Sequence, residues 1–99
     1  MARYRIIAWR DIPASIEVRE GGEQITLQLS ERFQALIDSA AMQLGADAQE
    51  AYLDAWGATD GERAGSAHEV GAALVAELEE RFPEFIAQAF RGGPGGART

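Results

Sequence analysis

A chain of 99 residues with a net charge of −7 makes one domain, and at this size folding buries only roughly 60–65% of the exposed surface, leaving few large side chains to line a ligand cavity. Without cysteine there is no disulfide framework, thiol nucleophile, iron–sulfur cluster or cysteine zinc site, and a reducing cytoplasm is the expected compartment. The nine basic residues, all arginine, are scattered among sixteen acidic ones, so no basic stripe forms to release counterions along DNA or RNA, and nucleic acid is not an expected partner.

Only Ile6, Ile7, Ala8 and Trp9 lie between Arg5 and Arg10, short of the roughly 7–15 apolar residues of a signal-peptide core. No run approaches the roughly 20 apolar residues that cross a bilayer. The expectation is a soluble, unprocessed protein with no membrane partner. The absence of lysine and asparagine beside abundant alanine, glycine and arginine fits a GC-rich bacterial source.

Residues 3–9 read as a strand apolar on both faces, with Tyr4, Ile6 and Ala8 on one and Ile7 and Trp9 on the other. Trp9-Arg10-Asp11-Ile12-Pro13 then ends it, because Asp11 can cap a turn and Pro13 holds Ile12 extended. Residues 15–20 and 23–29 alternate cleanly, Ile16, Val18, Ile25, Leu27 and Leu29 against polar neighbours, as in a sheet wet on one side. Gly21-Gly22 between them predicts a tight hairpin.

Ser30 is the expected cap of a helix whose stripe runs Phe33, Leu36, Ile37, Ala40, Ala41 and Leu44, ending at Gly45. Asp47 and Glu50 suggest a capping box for a short helix carrying Tyr52, Leu53 and Trp56 and closing at Gly57. Residues 57–66 lack an apolar period and read as a surface loop. Ser66 and Glu69 form a second capping box, for a helix burying Val70, Leu74, Val75, Leu78 and Phe82, and Pro83 predicts a kink or restart before Phe85, Ile86, Ala89 and Phe90. The fold class is therefore α+β: a small three-stranded antiparallel sheet, β-β-β, followed by three to four helices packed on one face. Residues 1–91 form the single domain, and 92–99 are a disordered glycine-rich tail.

No constellation for catalysis emerges. His68 is the single histidine and lacks the second ligand of a zinc motif, so it reads as an exposed helix-start residue. Glu77, Glu79, Glu80 and Glu84, interrupted by Arg81, read as a solvated helix face, and Glu17, Glu20 and Glu23 as guards of the hairpin against edge pairing. No serine lies in a nucleophile elbow, and the glycines follow neither phosphate-loop nor dinucleotide spacing, so no catalytic residue, metal or cofactor is expected. What remains is Trp9, Arg10, Asp11 and Ile12 with Tyr52 and Trp56, residue types favoured at recognition surfaces. The plainer reading of both tryptophans is that they complete a small core.

The run Trp9-Arg10-Asp11-Ile12-Pro13-Ala14, with Gln28-Leu29-Ser30-Glu31-Arg32-Phe33-Gln34, Ile37-Asp38-Ser39-Ala40-Ala41-Met42 and the Tyr52 to Trp56 segment, resembles a family of small bacterial proteins labelled "virulence factor". The resemblance implies a compact bacterial domain, carries over no catalytic residue, and suggests an accessory role beside enzymes of folate-linked one-carbon metabolism. The expected function is a non-enzymatic domain that binds another protein through Trp9, Arg10, Asp11, Ile12, Tyr52 and Trp56. The alternative is a small-molecule module or minor enzyme subunit for a folate-like ligand, Arg10 gripping a carboxylate and Trp9 or Trp56 stacking on a ring. A homodimer is a third option, covering the strand that is apolar on both faces.

Overall fold

Alternating side chains build three strands close to where the sequence predicts them. The computed structural model describes residues 1–43, 45 and 49–91, apart from the side chains of 49, 90 and 91, and places β1 at Ala2–Trp9, β2 at Ile12–Glu20 and β3 at Glu23–Gln28. β2 and β3 pair antiparallel from Glu20↔Glu23 to Ser15↔Gln28 across Gly21-Gly22, with Gly21 at φ 62°, a region glycine enters freely. On the covered face Val18 stands opposite both Tyr4 and Ile25, and Ile16 opposite both Ile6 and Leu27, so apolar rows cross the sheet.

β2 begins at Ile12 and takes in Pro13, which β1 alone flanks because β3 stops opposite Ser15. Ile7 faces Ser15 while Ala8 faces Pro13, which leaves Ala14 as an extra residue in a bulge. The Ala14 carbonyl accepts the Leu29 N–H at 3.0 Å.

The segment expected to be a loop is a strand. β4, Trp56–Arg63, pairs antiparallel with β1 from Trp9↔Trp56 to Ala2↔Arg63, giving a four-stranded sheet in the order β3-β2-β1-β4 where three strands were expected. It shows no apolar alternation because it is a largely exposed edge strand held by its ladder to β1, and the Tyr4 ring lies over Gly61, where a β-carbon would strike it. Arg63 clamps Glu77 at 2.7 and 3.1 Å and ties this edge to the helical layer.

α1, Glu31–Gln43, buries Phe33, Leu36, Ile37, Ala40 and Ala41, the predicted stripe, while Leu44 lies outside the described residues. Gly45 follows at φ 72°, its N–H on the Met42 carbonyl at 3.2 Å. α2, Gln49–Asp54, ends before Trp56, so Tyr52 and Trp56 do not share a helix as expected; the Asp47 cap and the 92–99 tail lie outside the described residues. α3, Ala67–Glu80, opens with the predicted Ser66 and Glu69 capping box. α4, Phe82–Arg91, restarts with Pro83 in its first turn, where the missing N–H is harmless.

α3 lies on the covered face, with Gly71 against Val18, Ile25 and Leu27, and α1 and α4 join the same core through Phe33, Ile37 and Phe85. Phe33 meets Phe82 edge-on at 4.9 Å. Of the four glutamates expected on a solvated helix face, Glu77, Glu80 and Glu84 are exposed and Glu79 is half-buried, and three of them also pair with arginine, Glu77 with Arg63, Glu79 with Arg32 and Glu84 with Arg81. Ser30 does not simply cap α1: its N–H and hydroxyl both donate to Glu79 of α3, at 2.7 and 2.9 Å. His68 is exposed as expected, 3.1 Å from Glu23.

Candidate functional site

The residues predicted for recognition gather at one end of the sheet, but not all of them reach its surface. Trp9 faces Ile12 across a two-residue hairpin, Arg10-Asp11, and Arg10 takes φ 55°, the left-handed region that a side chain disfavours. Trp9 is fully buried and Ile12 is 2% exposed, so neither side chain can be offered to a partner, contrary to the expectation for them. By alternation Trp9 is in phase with Arg3, Arg5 and Ile7. Its burial comes from the helices: the hairpin lies beside Ala40 of α1 and Ala89 of α4, and the Tyr52 ring of α2 packs on the indole.

Buried Trp9 positions the rest of the motif. Its indole N–H donates to the Tyr52 carbonyl at 2.9 Å, and the Arg10 N–H donates to the Ala55 carbonyl at 2.9 Å, fixing the turn from α2 into β4. The Tyr52 ring packs on Trp9 with centroids 5.8 Å apart and meets Trp56 edge-on at 6.1 Å. Tyr52 and Trp56 stay half-buried, Arg10 and Asp11 are exposed, and the Arg10 guanidinium carbon stands 6.0 Å from the Trp9 ring. Arg3, Arg5, Arg32, Arg63 and Arg81 each pair with a carboxylate and Arg19 bonds Gln24, whereas Arg10 has no side-chain partner among the described residues. The hollow beside Arg10 holds about 60 Å³.

A second surface was not foreseen. Arg3, Arg5 and Arg19 read as scattered in sequence, but the register sets Arg3 opposite both Arg19 and Glu62, and Arg5 opposite both Glu17 and Asp60, on the sheet face away from α3. Together with Gln24 they line a groove of about 390 Å³. The period-two placement of Arg3, Arg5, Glu17 and Arg19 was visible; which strands would adjoin was not.

The ionisable groups that shift here move away from neutrality. Arg5 holds the Asp60 carboxylate below its ordinary range by a two-pronged hydrogen bond at 2.8 and 3.3 Å, and Arg63 does the same to Glu77. For Glu79 desolvation pushes upward, but bonds from Ser30 and Arg32 outweigh it and the net shift is downward. Such groups are fixed as ions, whereas proton transfer at neutral pH needs a carboxyl raised toward 7. Among the described residues no helix is long and apolar enough to cross a membrane, and no group of three metal-ligating side chains occurs.

A family model described as "Virulence factor" matches residues 7–87, which include the Trp9 to Pro13 hairpin, α1 and the Tyr52 to Trp56 segment. No curated protein and no solved structure matches the chain.

Proposed function

The chain belongs to the virulence factor family, and from that premise we propose that it is a non-enzymatic protein-interaction or accessory-subunit domain that meets another protein through Arg10, Asp11, Tyr52 and Trp56. The observation that carries this reading is the state of Arg10: exposed, without a partner among the described residues, and held in a disfavoured backbone conformation beside an aromatic ladder. Strain at an exposed arginine persists because hairpin and core over-determine it, and arginine with half-exposed aromatics is the composition of interface hot spots. The folate-like alternative fits this end of the molecule less well. Of its two stacking platforms Trp9 is buried and Trp56 half-buried, and the hollow of about 60 Å³ falls far below the roughly 300–1,000 Å³ of small-molecule sites.

Enzymes of folate-linked one-carbon metabolism, suggested by the family resemblance, are the first candidate partners. The test is affinity capture from the parent bacterium with the wild-type chain, Arg10→Ala, and a control change remote from the hairpin, Glu31→Ala. The expected result is a protein retained by wild type and control and lost with Arg10→Ala, whose melting temperature stays close to wild type because the side chain is exposed. With that protein purified, the substitution should weaken binding at least about tenfold, the scale of a hot-spot arginine. Identical captures by all three chains would overturn the reading.

A further inference from the structure

We propose that the groove on the outer face of the sheet is a binding site for a small organic anion, whose carboxylate or phosphate sits between Arg3 and Arg19. The two arginines are direct cross-strand partners in the β1–β2 ladder, an arrangement of like charges that disfavours the sheet unless an opposite charge bridges them. Their partners leave donors unused. Among the described residues Arg3 reaches Glu62 through Nε at 3.3 Å, and Arg19 reaches only a neutral acceptor, the Gln24 amide oxygen, at 3.2 Å. A guanidinium carries five N–H donors in a planar fork, so both retain capacity for an oxyanion.

The neighbouring row supplies the walls of the site. Arg5 and Asp60 are locked to each other by two hydrogen bonds, and half-buried Glu17 lies beside them. The volume, about 390 Å³, falls inside the roughly 300–1,000 Å³ of ligand sites, and the lining comes entirely from strands. Glu17, Asp60 and Glu62 around the arginines set the class of occupant. They repel a polyanion such as a nucleic acid, and they accept hydrogen bonds from hydroxyl or amine groups on a molecule with one anionic head. This site is separate from the Arg10 surface and does not depend on it.

The test is a titration of the full chain, followed by backbone amide NMR shifts, with inorganic phosphate in one arm and glutarate in another, and sodium chloride at matched ionic strength as reference. Saturable shifts confined to the strand residues around Arg3 and Arg19 are expected in at least one arm, and the tighter arm identifies the head group. Arg19→Gln and Arg3→Gln, both at exposed positions, should each weaken that binding about tenfold with the shift pattern of the folded chain kept, while Arg10→Ala leaves it unchanged. Shifts that never saturate, that match chloride, or that survive Arg19→Gln overturn the proposal.

Discussion

Arg10 shows how one backbone angle separates two roles for a residue. Its φ of 55° disfavours any side chain with a β-carbon, so the hairpin would be better served by glycine. Arg10→Gly should raise stability by about 0.5–1 kcal/mol, the roughly 1–2 kcal/mol of relieved strain less the freedom glycine gains in the unfolded chain. The midpoint of denaturant unfolding, at unchanged slope, reads this directly. A loss of stability instead would show that the side chain serves the fold more than a partner. Trp9, two residues from Asp11 in the same motif, has the opposite character: an aromatic at the end of a short strand, buried to the last atom, whose N–H holds α2 in place.

At the scale of elements, α3 approaches the sheet closely at Gly71. A β-carbon on Gly71 would come within 2.5 Å of Leu27 Cδ1, 3.2 Å of Ile25 Cδ1 and 3.5 Å of Val18 Cγ2. Leu27 is half-buried on an edge strand and its end can swing aside, and alanine regains roughly 1 kcal/mol of helix propensity. Gly71→Ala should therefore be close to neutral. Gly71→Leu must lift α3 from β2 and β3 and should cost about 1–3 kcal/mol, the usual penalty of overpacking, seen as a lower melting temperature. β4 follows a different logic. Its formation rests on β1 as a template, the Tyr4 ring over Gly61 and the Arg63 to Glu77 clamp, none of which leaves a pattern in its own eight residues.

The molecule as a whole is joined by depressed carboxylates that each link separate elements: Asp60 joins β4 to β1, Glu77 joins α3 to β4, and Glu79 joins α3 to the start of α1. All three have folded pKa values below their ordinary ones, so their contribution is fully present above the unfolded values and is lost as pH falls through the folded ones. Stability should be flat near neutrality and decline below about pH 4.5. Glu79→Gln should reduce the steepness of that decline, measured as unfolding free energy against pH. An unchanged slope would show that the Glu79 carboxyl is not held below its ordinary range in the folded chain.

The α+β class, the Gly21-Gly22 hairpin, the α1 stripe, the Ser66 capping box and the restart at Pro83 were legible because each is a local matter of side-chain period, positive φ or an unsatisfied backbone group. Of the candidate site, the cluster itself was legible, since Trp9, Arg10, Tyr52 and Trp56 do converge. Their exposure was not, because alternation puts Trp9 in phase with exposed Arg3 and Arg5 while helices distant in sequence bury it. Tertiary structure alone decided that residues 56–63 form a strand and that Arg3 and Arg19 stand side by side. Both depend on strand register, and register is set by pairing between segments distant in sequence, where the free energy belongs to the contact and to neither segment alone.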